Sequence, residues 1–256
     1  MQAEPLSSWP EIRQWRKAQR AELVARREAT AEPTRHAWNE AITRHLLDGF
    51  DVPAEAIVGY CWPYRGEFDA RHAVRRWRDH GATAALPEVV ESKAPLQFRK
   101  WWPGAPMRAG VYDIPVPDGT EIVVPDIAIV PMNGYDDRGY RLGYGGGFFD
   151  RTLAALGRRV VAIGVSYELL HLPTIYPQPH DLPMDFVVTE CGIHSGGGSD
   201  LALLAPADAR QQFEELLASR GLPRTAFASR GYSSPACYAA EFPEYFGETP
   251  KTNDEC

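Results

Sequence analysis

The chain has 256 residues, of which 44% are hydrophobic, 24% charged and 11% aromatic, and its formal net charge is −7. This composition excludes a mainly disordered chain, and no apolar run approaches the roughly 20 residues that cross a bilayer. The negative charge argues against broad binding to nucleic acid, which depends on an excess of positive charge. We therefore expect neither a membrane nor a nucleic acid as partner.

Hydrophobic patterning and capping residues predict helices that alternate with short apolar strands. The predicted helices are 11–32, 35–48, 69–81, 148–157 and 207–220, and the predicted strands are 56–60, 82–90, 121–124, 127–130, 160–165 and 186–189. Continuous apolar strands between helices are typical of a parallel sheet that is covered on both faces. The sequence thus predicts an α/β fold, a three-layer α/β/α sandwich with a central, mainly parallel sheet.

Composition divides the chain near residue 194. The segment Ser-Gly-Gly-Gly-Ser at 195–199 is typical of a flexible linker, and a helix and a polar tail follow it. We predict one α/β domain over residues 1–194, followed by a linker and a C-terminal extension over 195–256 whose role and partner stay open. The N-terminus lacks an apolar signal stretch, which predicts a cytoplasmic protein. Its four scattered cysteines are then reduced thiols: Cys61, Cys191, Cys237 and Cys256.

A glycine cluster at 143–147 joins a predicted strand region to the start of a helix. Glycines let the backbone approach an anion, and exposed amides at a helix N-terminus donate hydrogen bonds to it. Arg141 and Arg151 flank the cluster and would neutralise phosphate charge, while Asp150 is placed to hold a magnesium ion. A glycine-rich surface turn with a helix-capping aspartate is the alternative, because a short motif has a high false-positive rate.

The longer string around this cluster resembles the signature of the 5-formyltetrahydrofolate cyclo-ligase family. It comprises Gly-Tyr-Asp at 134–136, Gly139, and Arg-Leu-Gly-Tyr-Gly-Gly-Gly-Phe-Phe-Asp-Arg at 141–151. The strand before the loop (125–131) and two strands after it (161–168 and 180–190) also match the family in the right order. With 62–67 and the basic N-terminal helix, the resemblance covers residues 11–193.

The resemblance implies a reaction in which ATP and Mg²⁺ convert 5-formyltetrahydrofolate to 5,10-methenyltetrahydrofolate, releasing ADP and phosphate. ATP phosphorylates the formyl oxygen, the neighbouring folate nitrogen attacks the activated carbon, and phosphate leaves. Such chemistry depends mostly on positioning and on neutralising charge. The implied partners are the small molecules ATP and a reduced folate.

The resemblance also implies roles for individual residues. Arg141 and Asp150 are the expected catalytic residues, and Asp150 and Asp181 the expected magnesium-associated carboxylates. The expected folate contacts are Glu67, Tyr112 and Phe149. The nucleotide site is expected to include Arg141, Gly143, Tyr144, Gly145, Gly146, Gly147 and Phe148.

Two positions depart from the family pattern. The family has two tyrosines where this chain has Phe148 and Phe149, and the family's N-terminal lysine, which reaches the ATP phosphates, falls on Ile12. Arg13 and Lys17 are the residues expected to replace that lysine. The departures leave two alternatives open: a folate- or nucleotide-binding protein without catalysis, and an ATP-dependent enzyme for another formylated or pterin-like substrate.

Overall fold

The computed structural model describes Leu6 and residues 8–223. The α-helices of this part of the chain are α1 (Trp9–Glu28), α2 (Glu32–Gly49), α3 (Arg71–Asp79), α4 (Phe148–Leu156) and α5 (Pro206–Ser219). Its strands are β1 (Ile57–Gly59), β2 (Thr83–Glu88), β3 (Gln97–Trp101), β4 (Met107–Ala109), β5 (Pro115–Pro117), β6 (Ile122–Val123), β7 (Ile127–Pro131), β8 (Gly134–Asp136), β9 (Arg141–Leu142), β10 (Val161–Val165), β11 (His171–Leu172), β12 (Phe186–Thr189), β13 (Gly192–Ser195) and β14 (Ala202–Leu204).

A nine-stranded sheet organises the fold, with the strand order β14-β13-β12-β10-β7-β1-β2-β3-β6. The five central strands, β12, β10, β7, β1 and β2, run parallel to one another. The pairs β13–β14 and β3–β6 continue the sheet at its two edges in antiparallel register. Two small sheets, β11-β8-β9 and β4-β5, lie outside it. The predicted α/β fold with a mainly parallel central sheet is confirmed.

Side chains of the central strands alternate between two buried layers, as the period of two in a strand requires. On β7, Ile127 and Ile129 belong to the larger core, into which helices α2, α3 and α5 insert apolar side chains. Ala128 and Val130 belong to the smaller core on the opposite face, where Leu153 of α4 is buried. Helices therefore cover both faces, and the sandwich has the three predicted layers.

The interpretation of 195–199 as a flexible linker is wrong. This segment turns the chain between two paired strands of the main sheet, since Ile193 of β13 lies opposite Leu204 of β14. A Cβ on Gly196 would lie 2.2 Å from the carbonyl oxygen of Met184, so the turn needs glycine for close approach. The glycine that composition associates with a linker is equally suited to a tight turn.

The chain after this turn belongs to the same core. Phe213 and Leu217 of α5 are buried, and the Phe213 ring lies edge-to-face against Phe50 at a centroid distance of 5.3 Å. The predicted last strand, β12, is consequently followed by two more strands and a packed helix. Residues 224–256 lie outside the described part of the chain.

Two further expectations concern membranes and thiols. Among the described helices, none combines the length and apolarity needed to span a bilayer. Cys61 and Cys191 are free thiols, as predicted, while Cys237 and Cys256 lie outside the described residues.

Candidate active site

A cavity of about 810 Å³ lies where the central parallel strands end. Cys61 follows β1, Val89 follows β2 and Pro131 closes β7, and all three residues line the cavity. Open α/β sheets bind ligands at this carboxyl edge. The cavity has a basic end, formed by α1 and the glycine loop (143–147), and an apolar end around Trp62, which we call the apolar wall. The apolar wall is formed by Trp62, Leu86, Pro87, Val89, Leu96, Val111, Ile114, Pro115 and Val116.

Helix α1 brings arginines to the basic end along one face. Arg16, Arg20 and Arg27 are four and seven residues apart, so at roughly 100° per residue they project within about 40° of one another. Arg16 is buried and donates from Nε to the carbonyl oxygen of Ile175 at 2.9 Å and from Nη2 to that of Tyr176 at 2.9 Å. The helix is therefore held against the loop that follows β11.

Arg20 lies over the glycine loop. Its Nε donates to the carbonyl oxygen of Gly143 at 2.8 Å, and a Cβ on Gly145, where φ is +96°, would lie 3.3 Å from its Cζ. Burial lowers the pKa of Arg20, and the positive charge of Arg16 lowers it further. Two cations held together in this way favour an anion between them.

The glycine loop leads directly into the N-terminus of α4. Gly147 is the N-cap residue with φ +64°, and no side chain caps the first amides of this helix. Glycine adopts this left-handed conformation without strain, and the uncapped amides are available to an anion. Phe148 and Phe149 begin the helix and line the cavity, with Arg151 Cζ 5.1 Å from the Phe148 ring centroid and Arg141 Cζ 5.4 Å from that of Phe149.

Two carboxylates face the basic end, and each is paired with a buried arginine. Arg141 Nη2 lies 2.8 Å from Asp150 Oδ2, and Arg16 Nη2 lies 2.5 Å from Asp181 Oδ2. The amide of Leu182 donates to Asp150 Oδ1 at 3.4 Å, which joins the two carboxylate segments. The Nε of Arg141 is buried without a hydrogen-bond partner within the described chain.

The donor set fits a magnesium ion that is completed by a ligand. Among residues 8–223 there is no group of three or more His, Cys, Asp or Glu side chains able to hold a metal alone. Asp150 and Asp181 both line the cavity, and Mg²⁺ is usually held by one or two carboxylates together with water and substrate phosphates. A cation here would therefore need further oxygen ligands from water or a bound phosphate.

Glu67 stands at the boundary between the basic end and the apolar wall. Its side chain is 5% exposed. Its Oε2 accepts from the amide of Tyr64 at 3.1 Å and its Oε1 from the hydroxyl of Tyr144 at 2.9 Å. Burial raises the pKa of Glu67, which the charge of Arg27 and the hydrogen bonds partly offset. A buried carboxylate beside an apolar surface can bind the N–H groups of a flat, polar heterocycle.

The structure brings most of the predicted site residues into this one cavity. Besides the glycine loop, the predicted residues that line it are Glu67, Arg141, Phe148, Phe149, Asp150 and Asp181. Tyr112 lies in the short 3₁₀ turn Val111–Asp113, whose neighbouring residues Val111 and Ile114 line the cavity. The side chain of Tyr112 is outside the described part of the structure.

Arg13 and Lys17 do not join the cavity. Both side chains are exposed, and neither lines the cavity; Arg16 and Arg20 of the same helix line it instead. Placing Arg13 and Lys17 at the phosphates needs a correction, because at roughly 100° per residue they lie about 60° and 100° around the helix from Arg16. The signal that would have identified the cavity-lining pair is the helical position of Ile12 and Leu23, which are buried on the same face of the helix as these arginines.

The fold and the cavity define a class: an α/β protein with a basic cavity, suited to an anionic ligand, at the carboxyl edge of its sheet. The model of the 5-formyltetrahydrofolate cyclo-ligase family matches residues 12–190. The chain belongs to this family and is an enzyme of it, an ATP-using cyclo-ligase of folate one-carbon metabolism.

Similar proteins agree with this assignment. The chain is 32% identical over 180 residues to the 5-formyltetrahydrofolate cyclo-ligase of Mycolicibacterium smegmatis, covering 66% of this chain and 91% of that one. It is 26% identical over 171 residues to the Escherichia coli K12 enzyme of the same name, covering 64% and 93%. The NMR structure of Aquifex aeolicus 5,10-methenyltetrahydrofolate synthetase has the same fold, with a TM-score of 0.58 at 24% identity, covering 74% of this chain and 96% of that one.

Proposed function

We propose that the chain converts 5-formyltetrahydrofolate to 5,10-methenyltetrahydrofolate within this single cavity, with ATP at the basic end and the folate against the apolar wall. The observation that carries the proposal is that the glycine loop and Glu67 line the same cavity and are joined by the Tyr144–Glu67 hydrogen bond. Both substrates can therefore meet without a large movement of the chain.

The basic end suits the triphosphate. The loop amides and the uncapped amides of α4 supply hydrogen-bond donors, and Arg20 adds a positive charge beside Gly143. Donors that are positioned before the reaction stabilise the charge that develops on a transferring phosphoryl group. Arg141 would keep its bidentate partner Asp150 and add its positive charge to the cavity lining.

The apolar wall suits the pterin ring. Glu67 would accept hydrogen bonds from ring N–H groups, and Trp62 and Phe149 would pack against the ring faces. Held there, the formyl oxygen attacks the γ-phosphorus and ADP leaves. The neighbouring folate nitrogen then attacks the formyl carbon and loses its proton to the departing phosphate as the carbon–oxygen bond breaks. The side chains in this scheme orient both substrates and exclude water.

Magnesium is part of the proposal. Asp150 and Asp181 are the residues that would hold it, and the bound ion would offset phosphate charge.

The cytoplasmic location stays a prediction from the sequence.

The test is a spectrophotometric assay with 5-formyltetrahydrofolate, ATP and Mg²⁺, in which the methenyl product is followed by its near-ultraviolet absorbance. We expect a rise that requires ATP and is abolished by a chelator. Asp150→Asn should lower kcat by roughly 100-fold or more. Asp208→Asn is the matched control, because Asp208 occupies the first turn of α5 as Asp150 does that of α4.

Other outcomes would count against the proposal. Binding of both ligands by calorimetry without ADP release would favour a non-catalytic binding protein. ADP release with a different formylated compound, and not with 5-formyltetrahydrofolate, would assign another substrate. An unchanged kcat in Asp150→Asn would contradict the proposed role of Asp150 in catalysis and in magnesium binding.

A further inference from the structure

One hydroxyl group connects the two ends of the cavity. The hydroxyl of Tyr144 donates to Glu67 Oε1 at 2.9 Å and accepts from Arg27 Nη2 at 2.9 Å. Arg27 Nη2 and Glu67 Oε1 are themselves 4.0 Å apart. Tyr144 thus bridges a buried cation and a buried carboxylate that do not meet at hydrogen-bond distance.

Tyr144 also determines where the glycine loop lies. It is the one residue of segment 143–147 that carries a side chain, and Gly145 beside it has φ +96°. The ring is 50% exposed and lies edge-to-face against Tyr64 at a centroid distance of 5.7 Å. Burial of the ring alone does not hold the loop. The hydroxyl contacts to Glu67 and Arg27 restrain it together with the Arg20 hydrogen bond to the Gly143 carbonyl.

The other partners of this bridge are rigid. Arg27 is 1% exposed, and it donates from Nη1 to Asn133 Oδ1 at 2.9 Å and from Nε to the carbonyl oxygen of Arg65 at 3.0 Å. Glu67 is held at Oε2 by the amide of Tyr64. A ligand that binds Glu67 therefore acts on a fixed carboxylate whose other hydrogen-bond partner is the tyrosine of the glycine loop.

We propose that Tyr144 is a positioning residue that couples nucleotide binding at the glycine loop to folate binding at Glu67. The inference rests on the proposed function of the two ends of the cavity. Either ligand stabilises the loop position in which the hydroxyl bonds Glu67, so each ligand tightens the binding of the other by the same factor. We expect a factor of roughly 5 or more in the wild-type protein.

The test measures this factor by calorimetry on the full chain in the presence of Mg²⁺. The probes are 5-formyltetrahydrofolate and the ATP analogue with an imido bridge between the β and γ phosphates, so that no turnover occurs. The dissociation constant of each is measured with and without saturating amounts of the other. Tyr144→Phe removes the hydroxyl and keeps the ring, and Tyr64→Phe is the matched control on the stacked neighbour.

The expected result is a coupling factor of about 1 to 2 in Tyr144→Phe, with both ligands still bound, and an unchanged factor in Tyr64→Phe. In steady-state assays of Tyr144→Phe, the KM for ATP should no longer fall as the folate concentration rises. A merely structural defect would raise the dissociation constants of both ligands. It would leave unchanged the ratio between the dissociation constant of each ligand measured without the other and that measured with it.

Two results would overturn the inference. A wild-type coupling factor near 1 would show that the two ligands bind independently. An equal factor in wild type and Tyr144→Phe would show that the coupling does not depend on the Tyr144 hydroxyl. The proposed function would stand in both cases. Failure of the wild-type protein to bind either probe would instead contradict the proposed function, and the inference with it. The melting temperature of Tyr144→Phe, which should stay close to that of wild type, checks that the variant is folded.

Discussion

Arg16 and Asp181 form a buried ion pair, with Nη2 2.5 Å from Oδ2, although 165 positions separate them in the chain. The pair joins the first helix to the segment before β12 and closes the basic end of the cavity. The second acceptor oxygen, Oδ1, lies 3.4 Å from Arg16 Nη1, so the contact is bidentate. The Asp181 carboxylate therefore both holds helix α1 in place and lines the candidate site.

Asp181→Asn should destabilise the protein, since it leaves the Arg16 charge buried without its counter-ion. Breaking a buried pair by removing one partner typically costs about 3–5 kcal/mol. The free energy of unfolding in urea measures the loss. Glu28→Gln breaks the exposed Arg65–Glu28 pair and should change stability little. If Asp181→Asn kept wild-type stability and lost only magnesium dependence, the structural part of this role would be wrong.

Arg20→Gln should raise the KM for ATP, because a positive charge beside the glycine loop is lost. A hydrogen bond to a charged group contributes about 1.5–3 kcal/mol, which corresponds to a roughly 10- to 100-fold change. Stability should fall by no more than about 1.5–3 kcal/mol, since one internal hydrogen bond with a charged donor, to Gly143, is removed. Initial-rate kinetics over a range of ATP concentrations measure the effect.

The control for Arg20 is Arg13→Gln on the exposed face of the same helix. It removes an identical charge outside the cavity lining and should leave the KM for ATP within about twofold of wild type. Equal effects of the two substitutions would indicate a general electrostatic field in place of a local contact.

Phe149→Leu should weaken the site at the junction of its two ends. The Arg141 guanidinium lies 5.4 Å from the Phe149 ring centroid, and a cation–π contact of this kind contributes about 0.5–2 kcal/mol. We expect kcat/KM for the folate to fall roughly 2- to 30-fold. Phe149→Tyr keeps the ring and should retain activity. An equal loss in both variants would show that shape, and not the ring face, matters here.

Phe213→Ala should destabilise the whole domain, although Phe213 lies beyond the family match. The side chain is fully buried and contacts Phe50. Emptying such a site typically costs about 3–5 kcal/mol. Leu203→Ala on edge strand β14, where Leu203 is 67% exposed, is the control and should change stability little. A free energy of unfolding equal to wild type in Phe213→Ala would mean that α5 is a separate unit.

His194 should make the protein less stable in acid. Burial lowers the pKa of His194 from its ordinary value of 6.5, an effect that outweighs the opposing charge of Glu168. As the pH falls, the unfolded chain therefore takes up a proton on this histidine before the folded chain does. The contribution of neutral His194 to the free energy of unfolding is complete above pH 6.5 and is lost as the pH falls below it. His194→Gln should show a smaller drop in melting temperature between pH 7.5 and roughly pH 5.5. An identical drop in both proteins would contradict this assignment.

Features that are local along the chain can be predicted from the sequence. The apolar runs at 127–130 and 160–165 became central parallel strands because a strand that is buried on both faces must be apolar throughout. The string from Arg141 to Asp150 became one wall of the cavity because its turn, its glycines and its helix start are contiguous. Interpretation of such segments needs no knowledge of distant residues.

Which distant groups meet depends on how the helices and strands pack in the folded protein. A helix can in principle pack with any rotation about its own axis. Packing against the core directs Arg16 and Arg20 toward the cavity, while Arg13 and Lys17 are exposed to solvent. The glycines at 196–198 are as suitable for a linker as for a hairpin turn, and strand pairing selected the turn. Composition and spacing describe what a segment can do, whereas contacts across more than a hundred positions depend on the free energy of the assembled core.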